Sequence, residues 1–538
     1  MVRKWLGRCT ATHKQCRRTI SGDTLDLFDE PRLPTRVIDV GRADGSQVPR
    51  LLETQGRKGR YVALSYCWGP PDRHPLRKTK DNLEAHLECL KLESLIKTHQ
   101  HAIVVTRAIG IKYLWIDSLC TVQDDVVDWE RESAVMGFIY ERAHLTIAAS
   151  AAEDSAEGLF IKRSGHRPTV DLPYINKSGQ QEGLFTVSGF RVDNGLFPQV
   201  QLSALSKRAW ATQEWILSRR MVHYMESSII WTCQEVQQTE MGIPVPIFAM
   251  DEDWDGITWM YSRRGIAYPG DRLFALQGIA NEMQKGRNDT YVYGMWTGDF
   301  PRQLFWMRAD KLEKNTAFPH VPSWSWASTT GAVTSSKRQQ DWDDLIWHDA
   351  CRFLYVEPSG MLVLSGRVKP ASRFRNIALS DRCPGYSRKD RDVSGLEWPG
   401  GLMDDLLPEE PDPETIYLIM NDNDNILGWV VLDVISELNG EPYYLLLGEG
   451  VVEAARKDYD DDEEAGEGDV TDDSKSAVNP QEFEETLEEK RNKALCLSII
   501  LWRSATEVGA FARIGVGLFG SVMSSWFYSE EAQEIRII

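Results

Sequence analysis

Three short apolar runs constrain the fold more than any other feature of this chain. They are YVALSY at Tyr61–Tyr66, YLWI at Tyr113–Ile116 and HLTIAA at His144–Ala149. Helical patterns separate them. One lies around residues 81–95, one over 98–110 with Ala102, Val105 and Ile109 on a single face, and one reaches Ala143. Strands that alternate with helices of this length predict an α/β domain, a parallel sheet flanked by helices. Each of the first two runs ends abruptly on polar or aromatic groups: Ser65-Tyr66-Cys67-Trp68 before Gly69-Pro70-Pro71, and Asp117-Ser118. Ligands of open α/β sheets bind at the carboxyl ends of the strands. Trp68, Asp117 and Ser118 are therefore candidate ligand contacts. The structural alternative is that Asp117 caps a helix and Trp68 fills a gap in the core.

Two carboxylates lean inward on the helical wheel. In the helix ending at Ala143, Asp128 is read as the N-cap. Trp129, Ser133, Met136, Tyr140 and Ala143 fall on the buried face, and Glu130, Arg131, Glu141 and Arg142 opposite. Glu132 lies on the edge of the buried stripe. In Arg208–Arg220, Trp210, Gln213, Glu214 and Leu217 share a face, which turns Glu214 inward as well. A buried carboxylate needs a partner, a ligand or a raised pKa. For Glu132 the choice is between catalysis and an ion pair, with Arg208 or Arg107 as the expected partner.

At 538 residues the chain exceeds one domain. We expect a helical segment over 1–30, the α/β domain over 31–240, and a helical extension over 241–345 carrying Pro322-Ser323-Trp324-Ser325-Trp326-Ala327-Ser328. A β-rich region follows over 346–538. The PSWSWAS stretch alternates with the period of a strand. LPTRVIDV near residue 35 reads as an edge strand, and residues 221–232 as a hairpin. Residues 453–493 form an acidic insert of low hydrophobicity, expected to be disordered. A net charge of −19 argues against a general nucleic-acid binder. Nine scattered cysteines suggest a reduced intracellular protein rather than a disulfide scaffold. No apolar leader stands in MVRKWLGRCT, and Arg503, Glu507 and Arg513 interrupt the least polar C-terminal stretch, so neither secretion nor a membrane span is expected. Cys9, His13 and Cys16 share a helix face, but no fourth ligand is near in sequence, so small apolar packing is the expectation and no metal is assigned. No P-loop, dinucleotide fingerprint, H-E-x-x-H or G-x-S-x-G occurs. Cys67 and Cys120 beside strands read as packing rather than as nucleophiles.

Three segments together resemble the fungal heterokaryon-incompatibility (HET) domain. They are Tyr61–Gly69 (YVALSYCWG), then Leu114–Cys120 (LWIDSLC) with Gln123-Asp124-Asp125 and the Met136–Ala143 helix, then Arg208–Glu214 (RAWATQE). The resemblance spans residues 30–235. Asp271-Arg272-Leu273, the PSWSWAS stretch and Trp5-Leu6 with Cys9, His13 and Cys16 are also similar to stretches of such proteins. One departure is Thr121-Val122, where the family usually carries two aliphatics. The resemblance implies a cytoplasmic role in fungal non-self recognition, in which programmed cell death follows fusion of incompatible cells, with protein partners or self-assembly. It also implies a distant similarity to Toll/interleukin-1 receptor (TIR) domains, with a flavodoxin-like parallel sheet. Some TIR domains cleave NAD+ with a glutamate on a helix after a central strand. By that likeness Glu132 is the candidate catalytic residue, NAD+ the candidate substrate rather than a cofactor, and Trp68, Asp117, Ser118 and Glu214 the candidate substrate contacts.

Overall fold

The computed structural model describes residues 1–25, 30–161, 169–176, 178–188, 200–226, 228–245, 253–309, 313–317, 320–335, 345–371, 375–378, 416–420, 426–433, 442–452, 494–520 and 523–538. The acidic stretch 453–493 lies outside the described residues. The chain forms two compact units, Met1–Met250 with Arg264–Asn288, and Asp251–Arg263 with Asp289–Ile538.

The first unit is α/β. Its strands are β1 (Arg36–Asp39), β2 (Arg50–Glu53), β3 (Tyr61–Ser65), β4 (Tyr113–Trp115), β5 (Leu145–Ala148), a separate hairpin of β6 (Thr169–Ile175) and β7 (Gln181–Ser188), then β8 (Arg220–Tyr224), β9 (Ile229–Cys233) and β10 (Gln237–Thr239). Its helices are α1 (Val2–Thr12), α2 (Leu83–Glu88), α3 (Lys97–Ile109), α4 (Asp117–Cys120), α5 (Val126–Arg142) and α6 (Ala211–Leu217), followed by a helix at Phe274–Gln284. One sheet runs in the order β10-β9-β8-β5-β3-β4-β1-β2. The central four, β8-β5-β3-β4, are mutually parallel, in register at Ala148↔His223, Val62↔Leu145 and Val62↔Leu114. The flanking pairs are antiparallel. All five residues of β3 are buried, as a parallel strand covered on both faces requires.

Three local readings change. LPTRVIDV is not an edge: β1 pairs with both β4 and β2, and the short β2 takes the edge. The 221–232 hairpin is present as β8 and β9, but β8 also continues the parallel sheet beside β5. In α5 the cap is Asp125, whose carboxylate accepts from the amides of Val127 and Asp128. Asp128 is instead buried in an ion pair. The inward face of α5 carries Asp128, Glu132, Gly137, Ile139, Tyr140 and Glu141 rather than Trp129 and Met136. Its rotation follows from a glycine contact. A Cβ on Gly137 would stand 2.7 Å from the Gly278 Cα, and one on Gly278 2.8 Å from the Gly137 Cα. Two bare glycines thus let α5 and the helix Phe274–Gln284 meet backbone to backbone.

The second unit is β-rich. Its main sheet runs Leu345–Asp349, Tyr443–Val452, Ala494–Arg503, Ala510–Gly520, Ile426–Leu432, Ile416–Met420, Arg375–Ala378, with further strands at Arg352–Val356, Leu362–Gly366 and Gln533–Ile537. The β-rich character expected over 346–538 is present in these described strands. The PSWSWAS stretch does not: it is a turn leading into a 3-10 helix at Trp326–Ser328. Ser325 Oγ accepts from the Ala327 amide and donates to the Tyr293 carbonyl at 2.6 Å, so a side chain competes with any ladder partner. Both tryptophans are nonetheless buried, with indole N–H groups on the carbonyls of Gly360 and Gly294. Among the described residues no helix is long and apolar enough to cross a membrane.

Candidate functional site

The carboxyl ends of β3 and β4, with α6, bring four of the five candidates together. Trp68 Nε1 donates to Asp117 Oδ2 at 2.8 Å, and the Ser118 amide donates to Asp117 Oδ1 at 2.6 Å. Tyr66 donates to Ser118 Oγ at 2.9 Å, which leaves the phenol oxygen to accept from His99 Nε2 at 3.1 Å. Ser65 Oγ donates to Glu214 Oε2, and an Arg208 guanidinium N–H to the Tyr66 carbonyl. Tyr140 donates to the Leu64 carbonyl at 3.0 Å and so pins α5 under the end of β3. Ser118 and Glu214 are buried, while Trp68, Asp117 and Arg208 are half-buried. The site is therefore a polar floor with a partly open rim.

Its electrostatics centre on Glu214 and Arg208. Burial pushes the Glu214 carboxyl up to about 7, against the pull of Arg208 and the Ser65 hydroxyl. Burial also raises Asp117, again opposed by Arg208 and by the Trp68 indole. Burial lowers the Arg208 guanidinium, but Glu214, Cys67 and Asp117 outweigh it and leave it above its ordinary value. His99 is driven down to about 3 by burial, so its ring is neutral. Near neutral pH the site therefore holds one fixed cation and one carboxyl poised between its two protonation states. That is what acid, base or cation-stabilising chemistry requires. The two nearby thiols are not nucleophiles: burial raises Cys67 to about 11 and Cys120 to about 12.

Glu132 stands elsewhere. It is buried in α5 and accepts from Arg131 Nε at 3.2 Å. Its neighbours are Arg36 and Asp128, which form a two-pronged pair at 2.8 and 3.0 Å. Arg36 also donates to the Cys120 carbonyl, and Asp128 accepts from the Val122 amide. Glu132 Oε2 has no hydrogen-bond partner among the described residues. No hydrogen bond joins Glu132 to Trp68, Asp117, Ser118 or Glu214. Neither expected arginine partners it: Arg107 binds the carbonyls of Val40 and Gln47, and Arg208 lies at the β3 end. Ser65, Tyr66 and Arg208 stand inside the sequence segments singled out above: a strand end signals the first two, and the segment Arg208–Glu214 the third. His99 had none, being one polar residue within an amphipathic helix.

A third buried carboxyl, Glu141, is raised to about 7 by burial and by the facing Glu282, against Arg142. The sign follows from linkage. The folded state binds this proton more tightly than the unfolded chain, so the contribution to stability is full below the ordinary value of 4.5 and is lost as pH rises through 7. Glu141→Gln keeps the neutral form at every pH. We expect the variant to melt higher than wild type at pH 8, by on the order of 1 kcal/mol or more. The difference should shrink toward pH 5, read by thermal unfolding in matched buffers.

A small pocket in the second unit, walled by Trp254, Trp259, Trp306 and Trp326, contains none of these residues. No curated protein and no solved structure matches the chain. The family model described as "Heterokaryon incompatibility protein (HET)" matches residues 61–214, from the first residue of β3 to the Glu214 carboxylate. Over residues 61–214, from the central parallel strands to α6, the chain thus carries a match to the heterokaryon-incompatibility domain.

Proposed function

We propose that this chain acts in fungal non-self recognition as a TIR-like signalling module of the cytoplasm, promoting programmed cell death by self-association or by engaging protein partners. The observation that carries the reading is where the family match falls. It spans β3, β4 and β5 and ends on the residues at their carboxyl edge. The parallel order β4-β3-β5-β8 supports it further, because numbering those strands along the chain gives 2-1-3-4, the order of flavodoxin-like sheets. Conditional expression in a filamentous fungal host tests it. Wild-type chain is expected to kill, and Arg208→Ala, which removes the site's cation, to be harmless at equal abundance. Survival of cells expressing abundant wild-type chain together with an incompatible fusion partner would count against it.

One observation favours a second, compatible reading, in which the module is an NAD+ glycohydrolase. Glu214 is a buried carboxyl near 7 on the helix that precedes β8 and follows the central strand β5, among Asp117, Ser65 and Arg208. In this reading the bond between nicotinamide and ribose breaks, and nicotinamide leaves with the electron pair. Water adds to the ribose carbon and releases a proton. The transition state is oxocarbenium-like. Ionised Glu214 stabilises that charge, Asp117 and Ser118 hold polar groups of the substrate, and the Trp68 ring covers the base. Glu132, the other carboxylate considered for this role, stands on α5 beside the Arg36–Asp128 pair that ties this helix to β1.

A further inference from the structure

The three ligand-type residues of the N-terminal segment acquire a fourth through the fold. Cys9 on α1, His13 at its end and Cys16 in the following turn meet Cys233, the last residue of β9, 217 positions beyond Cys16. All four are buried, and their three sulfurs and one imidazole nitrogen all lie within 4.8 Å of one another. His13 Nδ1 stands 3.3 Å from Cys233 Sγ and 3.8 Å from Cys16 Sγ. A tetrahedral zinc bound by sulfur and imidazole sets ligand-to-ligand edges of about 3.5–3.8 Å. The two His13 separations bracket that edge, and no ligand atom stands more than 4.8 Å from another.

A second observation points to negative charge in the cluster. Arg220 is buried, and its hydrogen bonds go to Cys9 Sγ at 3.1 Å and to the Cys16 carbonyl at 3.2 Å. Among the described residues it has no carboxylate partner. A buried guanidinium facing only neutral thiols is costly. Three thiolates and a neutral imidazole around a divalent ion carry one net negative charge, which Arg220 would neutralise. The backbone amides of Glu235 and Val236 are hydrogen-bonded to the Cys233 sulfur. Such amide-to-sulfur bonds are the outer-shell support that thiolate ligands need.

We propose that Cys9, His13, Cys16 and Cys233 form a closed structural zinc site that fastens the N-terminal helix to the end of β9. The ligand set is soft and leaves no open position, which selects zinc over harder cations and a structural over a catalytic role. Trp5 packs on Trp231 beside it, with ring centroids 5.9 Å apart, so the same two elements also meet through apolar contact.

The test uses the full chain purified under reducing conditions without chelator. Elemental analysis is expected to find one zinc per chain. After stripping, cobalt titration of the wild-type chain should give the visible bands of a tetrahedral, thiolate-rich site at one equivalent. Cys233→Ser should lower retained zinc at least tenfold after dialysis against a weak chelator. His13→Cys, which keeps four ligands, should retain it. Cys67→Ser, at a buried thiol outside the cluster, should also retain it. Substoichiometric zinc together with no tetrahedral cobalt spectrum would overturn the proposal, without reliance on any variant folding. So would an intact mass two hydrogens light with a disulfide mapped within the cluster.

Discussion

Glu214→Gln is expected to lower NAD+ turnover by about 10²–10⁴-fold while leaving the fold intact. The amide is isosteric, and its carbonyl still accepts from Ser65 Oγ, so the contact that positions the side chain survives. In the glycohydrolase reading, what goes is the negative charge that stabilises the oxocarbenium-like transition state. The pH profile should carry the same signature. The wild-type carboxyl sits near 7 because burial disfavours its charge. If the ionised form is the working one, turnover falls as pH drops through 7. Stability moves the opposite way. The raised carboxyl contributes fully below its ordinary value of 4.5, and that contribution is lost as pH rises through 7. Glu214→Gln is therefore expected to be more stable than wild type at pH 8, by on the order of 1–3 kcal/mol, and inactive. A residue that only held the fold together would lose both properties. Glu132→Gln is the contrasting variant: turnover within a few-fold of wild type, and a weaker contact between the neighbouring side chains of residues 131 and 132 on α5.

The largest structural effect is expected in the β-rich unit. Arg513, with a wholly buried side chain, pairs with Asp433 through two bonds of 2.9 and 3.0 Å. It also donates to the carbonyls of Leu304 and Trp306 and lies 3.6 Å over the Trp306 ring. Arg513→Ala strands the Asp433 carboxylate and two carbonyls in the interior. Breaking a buried pair from one side costs about 3–5 kcal/mol. Hydrogen exchange at Ala494–Arg503 and Ala510–Gly520 should accelerate accordingly. The double variant Arg513→Met, Asp433→Leu should lose less than the two single variants together, because both charges of the pair are removed at once. Unchanged exchange in Arg513→Ala would mean that the pair contributes nothing to this unit.

The parallel core was legible because β3, β4 and β5 are continuous apolar runs that stop on polar residues. Trp68, Asp117, Ser118 and Glu214 were legible for the same reason: strand ends and an inward helix face locate them without tertiary information. Other features depended on distance along the chain. Nothing in MVHYM announces that β8 lies beside β5, because a hairpin strand and a parallel strand share one pattern. Cys233 is a single cysteine at a strand end until the fold carries α1 to it. On α5 the wheel places Tyr140, Ala143 and Glu132 inward as found, but puts Glu141 outside, because a wheel weighted by apolar residues passes over a buried carboxyl and a bare glycine such as Gly137. PSWSWAS has the period of a strand, but Ser325 binds local backbone and bends it.

The measurement that bears most directly on the central claim is NAD+ consumption by the purified full chain across a wide range of protein concentration, with wild type, Glu214→Gln and Glu132→Gln side by side. The carboxyl-edge account predicts turnover that rises with concentration as the module assembles, is lost in Glu214→Gln and persists in Glu132→Gln, with unchanged circular dichroism in all three. Turnover that survives Glu214→Gln and disappears in Glu132→Gln would contradict it and move the working carboxylate to α5.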